Sequence, residues 1–135
     1  MSESMKAGWA TAILALLLGA FVFPRMAGAA DAAEQGKQLF EKRCTGCHSL
    51  ERHKEGPNLL GVYGRQAGTA PGFNYSAALK SAHFVWDEQK LDRWLTDTQS
   101  LVEDNNMDFH VPKGEERAEI IQYLKSLSAP NGTAR

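Results

Sequence analysis

A chain of 135 residues gives one domain and little more. With 15 Lys+Arg against 16 Asp+Glu and no long run of one sign, there is no basic surplus to hold nucleic acid. Two cysteines allow one disulfide, a reactive pair or part of a metal site, and their local context has to decide between these.

Residues 1–30 differ from the rest. Lys6 precedes an apolar stretch from Ala7 to Phe23, followed by Pro24, Arg25 and the small-residue run Ala27-Gly28-Ala29-Ala30. A positive start, an apolar core and a small-residue exit make a secretory signal peptide. The rival is an uncleaved membrane anchor, but a spanning helix needs about 20 apolar residues and this run is shorter. Pro24 also breaks the helix where a peptidase needs extended chain. Cleavage is expected near Ala29, Ala30 or Ala32, leaving residues 31–135 as the mature domain. A domain of that size has a small core, which a buried prosthetic group would help to fill.

Asp31 is placed to cap a first helix from Ala32 to about Thr45, with Leu39 and Phe40 on its apolar side. From Ser49 to Asn74 the chain carries Gly56-Pro57-Asn58, Gly61, Gly64, Gly68 and Pro71-Gly72, the punctuation of loops and tight turns. A short helix is expected over Tyr75–Ser81. Asp87 caps another, with Leu91, Trp94 and Leu95 at helical spacing. The segment Thr98–Lys113 has no period and reads as loop. The last helix begins near Gly114, puts Ile120, Ile121, Leu124 and Leu127 on one face, and ends at Ala129-Pro130. The Gly132–Arg135 end is expected to fray. No alternating strand pattern and no internal repeat occurs, so the class is all-α. Long glycine-rich loops in a small domain usually need something to wrap around.

That something is indicated by Cys44-Thr45-Gly46-Cys47-His48, a C-x-x-C-H sequence at the end of the first helix. Positions i, i+3 and i+4 share a helical face. Two thiols can therefore bond the vinyl groups of a haem while His48 reaches its iron from the same side. This pentapeptide is the c-type haem attachment signature. A structural zinc site normally needs four ligands, and there is no second cysteine pair. A thioredoxin-like pair is expected beside a βαβ unit, which is missing. A disulfide closing so short a loop would be strained.

For the sixth iron position, Met107 is favoured. It is the only methionine beyond the leader, and His/Met ligation raises the reduction potential and suits electron transfer. Its neighbours Glu103, Asp104, Asn105, Asn106 and Asp108 make a packing role a poor explanation. His110 competes for the position, and His53 and His83 do so more remotely.

Several further residues are spaced in a familiar way: Gly36 and Phe40, Gly56-Pro57-Asn58-Leu59, Gly64-Arg65, Gly68-Thr69-Ala70-Pro71-Gly72-Phe73-Asn74-Tyr75, Trp86, Glu115-Glu116-Arg117-Ala118 and Tyr123-Leu124. On these the chain from Gly36 to Leu127 resembles the soluble class I cytochromes c of the mitochondrial and bacterial cytochrome c family. The resemblance implies a cytochrome c fold of three to five helices with long loops around one covalent haem c. It implies that Pro57 accepts the proton on the far nitrogen of His48, a bond that fixes the ring. It implies that Arg65, Tyr75 and Trp86 hold the buried propionates and that Gly68 supports the pocket. Gly36 and Tyr123 match the crossing of first and last helices.

There are departures from the family pattern. Trp94 stands where a tyrosine is usual near the Met ligand, and Leu79 replaces an asparagine of the same network. Glu103-Asp104-Asn105-Asn106 replaces the Pro-Gly-Thr-Lys before the methionine, which predicts a looser strap. Asn105 is expected to bond a propionate or an internal water. Family members usually ring the exposed haem edge with lysines; Arg43, Lys54 and Lys113 keep that character, but Gln38, Gln99 and Asn106 do not. Glu103, Asp104 and Asp108 add negative charge there.

The expectation is a monomeric periplasmic single-electron carrier. Its partners would be transient donors and acceptors: a cytochrome bc complex, an oxidase or a dehydrogenase. With both axial positions filled it is not expected to be an enzyme. Two other classes compete. An open sixth position could turn over peroxide, with His110 as a distal group. A dedicated subunit of a dehydrogenase could be held at the membrane by an uncleaved leader.

Overall fold

The computed structural model describes residues 28–128. The leader expected over 1–30 lies outside the described residues except for Gly28, Ala29 and Ala30, and so does the end from Ala129. Five helices follow in chain order: α1 (Ala29–Arg43), α2 (Ala77–Lys80), α3 (Glu88–Thr96), α4 (Thr98–Leu101) and α5 (Gly114–Ser126). The fold is all-α. Among the described residues the one extended pairing is an isolated antiparallel bridge between Gln66 and Val85.

Helix α1 begins three residues before the expected Ala32. Its cap is Gly28, which makes no side-chain bond, and Asp31 sits in the first turn rather than at the cap. There its carboxylate still faces the positive end of the helix dipole, while Lys42 and Arg43 occupy the last turn. The helix closes at Arg43, two residues short of Thr45, with Cys44 as its C-cap. The short α2 is a single turn capped by Ser76, whose hydroxyl accepts from Leu79 N–H at 3.2 Å. Asp87 caps α3 as its position predicts, accepting from Lys90 N–H at 2.7 Å. Helix α5 starts at Gly114 as expected, but Leu127 is its half-buried C-cap and does not extend the apolar face.

The sequence pattern misses α4. This single turn falls inside Thr98–Lys113, which reads as loop because a four-residue helix cannot display a hydrophobic period. What makes it is capping: the Asp97 carboxylate accepts from Gln99 N–H at 3.0 Å and Ser100 N–H at 3.3 Å.

Helices α1 and α5 pack at very close range. Phe40 meets Tyr123 with ring centroids 5.5 Å apart. Gly36 is buried where a Cβ would lie 1.9 Å from the carbonyl oxygen of Glu119. Ile120, Ile121 and Leu124 of α5 join Leu91, Trp94 and Leu95 of α3 in the core. Arg117 ties α5 to α3 by a 2.7 Å ion pair with Asp92. The long irregular stretch between α1 and α2 is fastened to the segment before α3. Gly64 N–H donates to Trp86 O at 2.7 Å, Trp86 N–H to Arg65 O at 2.9 Å, and Ala67 N–H to Phe84 O at 2.9 Å. These bonds hold the loops as walls around an interior space.

Candidate functional site

That space is a cavity of about 450 Å³, within the range of small-molecule and cofactor sites. Its walls are mostly apolar and include Phe40, Leu59, Val62, Leu95, Ile120 and Leu124. The polar and sulfur-bearing side chains among them are few and particular. Cys44, Cys47 and His48 come from the end of α1, Arg65 and Tyr75 from the fastened loops, and Met107 from the segment after α4. A flat apolar macrocycle with two vinyl groups, two carboxylates and a metal matches this donor set: two thiols, two soft or nitrogen ligands, a guanidinium and a phenol. The residues present fit a covalently held haem. Among the described residues no three of His, Cys, Asp and Glu converge as a site for a bare metal ion.

The helix-end geometry expected for the pentapeptide is kept by a turn rather than by α1 itself. Cys47 N–H and His48 N–H both donate to Cys44 O, at 3.2 and 2.9 Å. The i, i+3 and i+4 side chains thus reach one cavity. The thiols are not joined to each other. Burial pushes the Cys44 thiol up to about 11, against the opposing pull of the Arg43 guanidinium. Cys47 is exposed; its thiol donates to the Glu55 carboxylate at 3.4 Å, and chiefly that bond raises its pKa.

His48 Nδ1 lies 2.8 Å from the carbonyl oxygen of Pro57, to which its N–H donates, leaving Nε2 as the acceptor. Burial lowers the imidazole pKa, outweighing the Pro57 bond. A neutral ring with Nε2 free is the form that ligates a metal. The room for it comes from Gly56, where a Cβ would sit 2.2 Å from Cε1 of His48. Gly56 belongs to a turn and to the Gly56-Pro57-Asn58-Leu59 motif in the sequence, neither of which discloses this contact.

Arg65 lines the cavity, anchored by Nη2 to Asn58 O at 2.8 Å and by Nη1 to Asn58 Oδ1 at 3.3 Å. Burial depresses its pKa, with Tyr75 opposing. The Tyr75 hydroxyl accepts from Ala70 N–H at 3.3 Å, so its own proton is left for another acceptor. Trp86 and Trp94 are both buried in the wall, edge to face with centroids 5.3 Å apart.

Two of the expected pocket residues are not in the wall. Gly68 has φ +72° and faces Leu79 O of α2, 2.3 Å from where a Cβ would be, so it permits the loop to approach α2. Asn105 is 7% exposed and spends its amide within its own segment. Nδ2 donates to Val102 O and Oδ1 accepts from Met107 N–H, both at 2.7 Å. One N–H of that amide is thus engaged within the segment, and the other is left for a further acceptor. Of the competing ligands, His53 is held between Pro71 O and Asn58 N–H at 2.9 and 3.0 Å, and His110 is exposed; neither they nor His83 line the cavity.

Residues 33–128 match the sequence profile of the family described as Cytochrome c. Cytochrome c of Euglena viridis is 43% identical over 98 residues, spanning 70% of this chain and 96% of that protein. Cytochrome c of Sesamum indicum is 39% identical over 100 residues, 71% of this chain and 90% of that one. Among solved structures, cytochrome cH from Methylobacterium extorquens superposes with a TM-score of 0.67 at 35% identity, covering 70% of this chain and 97% of its own.

Proposed function

Because the chain belongs to the cytochrome c family, has its class I fold and binds one covalently attached haem c, we propose that it is a periplasmic single-electron carrier with His48 and Met107 as axial ligands. The observation that carries this reading is the meeting of Cys44, Cys47, His48 and Met107 in one apolar cavity. The bound iron supplies a one-electron Fe(II)/Fe(III) couple. Cys44 and Cys47 would hold the group by thioether bonds. Pro57 O keeps the His48 ring turned so that Nε2 meets the metal. Arg65, Tyr75 and Trp86 supply donors for the propionates, and the apolar wall excludes water from the iron. With His48 and Met107 both holding the iron, no substrate would reach it, and the chain would act as a carrier rather than an enzyme.

Export rests on the leader-like residues 1–30, and partners are a donor and an acceptor such as a cytochrome bc complex, a dehydrogenase or an oxidase. Electron-transfer contacts of this kind are small and short-lived. The exposed polar residues in the cavity wall are Glu55, Asn74, Asn106 and Asp108, with no lysine among them. Partners are therefore less acidic than those of a lysine-ringed member, and transfer rates are expected to change little with ionic strength. A steep fall in stopped-flow transfer rate on adding salt would refute this.

The test of ligation is optical. Ferric holoprotein is expected to show the far-red charge-transfer band of Met–Fe(III) ligation, and Met107→Ala to abolish it. If wild-type protein lacks the band at neutral pH, the open-site enzyme reading replaces the carrier.

A further inference from the structure

We propose that Thr98 and Asn105 form a clamp that positions Met107 as a ligand; this rests on the reading of Met107 as the sixth iron ligand. Thr98 is 1% exposed, and its hydroxyl donates to the main-chain carbonyl of Met107. Asn105 Oδ1 accepts from Met107 N–H at 2.7 Å. Both main-chain polar groups of the ligand residue are thus tied by buried or nearly buried side chains. Each clamp residue is itself fixed. Thr98 opens α4, where the Asp97 cap and the bond from Val102 N–H to Thr98 O at 3.1 Å hold its backbone. Asn105 is held by Nδ2 to Val102 O at 2.7 Å and by Gln99 Nε2 donating to its carbonyl at 3.1 Å.

A methionine thioether is a neutral, soft donor that stays on a metal only if the loop bearing it is already ordered. Ordering a free backbone residue costs roughly 1–2 kcal/mol, enough to let an outside ligand compete. This strap has no proline to limit that freedom, and at Asp104 it turns through φ 60°, a conformation L side chains rarely adopt. The two bonds to Met107 remove the freedom instead, so the missing proline does not leave the strap loose. They also make α4, the element without a sequence signature, part of the ligand-holding apparatus. Thr98 and Asn105 are positioning residues: they touch the ligand residue and not the metal.

The experiment is a titration of ferric holoprotein with imidazole, followed at the far-red band. Thr98→Val keeps the shape and removes the hydroxyl, taking from the half-buried Met107 O the partner that Thr98 gives it; losing that bond weakens the bound state enough that imidazole is expected to displace Met107 at about tenfold lower concentration. Thr98→Ser restores the donor and should return the affinity to wild type. Asn105→Ala frees the other side of Met107 and should shift the titration in the same direction, which keeps the test open if Thr98→Val does not fold. If the melting temperature falls while imidazole affinity stays within twofold of wild type, the clamp is overturned and Thr98 merely packs. If wild-type protein has no far-red band, the ligation reading fails and the clamp with it.

Discussion

Gly56→Ala is expected to displace the His48 ring and disrupt holoprotein formation, although it adds a single methyl group. The new Cβ would lie 2.2 Å from Cε1, 2.5 Å from Nδ1 and 2.8 Å from Nε2 of His48. Neither side can easily give way. The ring is held by Nδ1 to Pro57 O at 2.8 Å, and Pro57 is the next residue in the chain. The backbone of Gly56 is held on both sides, by its N–H to Cys47 O at 2.8 Å and by Lys54 N–H to its carbonyl at 3.0 Å. Relief requires breaking the Pro57 bond and tilting the imidazole. Overpacking of this kind costs about 1–3 kcal/mol in stability, and here the strain falls on a ligand. The measurement is the yield of covalent holoprotein together with the ferric electron paramagnetic resonance spectrum, whose g-values report the orientation of the histidine plane. Gly46→Ala is the control. Gly46 lies between the two cysteines and has nothing within 4 Å of an added Cβ, so wild-type behaviour is expected. Equal yields and spectra for both variants would show that the collision is relieved without cost.

Gly36→Val is expected to prevent the domain from folding stably. Here the obstruction is main chain of another helix: a Cβ would sit 1.9 Å from the oxygen and 2.5 Å from the carbon of the Glu119 carbonyl, and 2.9 Å from Tyr123 Cβ. A helix backbone cannot rotate aside as a side chain can, so α1 and α5 must separate. Separation opens the Phe40–Tyr123 contact and withdraws Ile120 and Leu124 from the core they share with Leu91 and Trp94. The cost exceeds the usual overpacking range and approaches the whole stability of a small domain, about 5–15 kcal/mol. Guanidinium denaturation of holoprotein, followed by far-ultraviolet circular dichroism, gives the answer. A midpoint equal to wild type would mean the crossing is not rigid. Because α1 delivers Cys44 to the cavity, failure at Gly36 should also lower haem incorporation, even though the residue is two helical turns from the thiol.

What was legible in the sequence was what depends on neighbours in the chain. The C-x-x-C-H spacing carries its chemistry within five residues. Asp87 and the Leu91, Trp94, Leu95 spacing announce α3 because capping and helical period are local effects. Met107 stood out as the single methionine beyond the leader. Much of the pocket also came from the order of its motifs. Cys44, Cys47, His48, Pro57, Arg65, Tyr75, Trp86, Trp94 and Met107 all line the cavity.

Only the tertiary structure decided the rest, because the reasons lie in atoms distant along the chain. The family resemblance puts Gly36 and Tyr123 at a helix crossing, but only the fold shows that the obstacle to a side chain is the carbonyl of Glu119, 83 residues away. Gly56 reads as a turn glycine until the His48 ring is seen against it. Asn105 reads only as a pocket donor until its amide is found holding Val102 O and Met107 N–H within the strap. Thr98 carries no signal at all in the sequence, since a buried threonine is recognised only by what its hydroxyl meets. Local order is written in propensity and spacing; close approach and hydrogen-bond partnership exist only once the chain has folded back on itself.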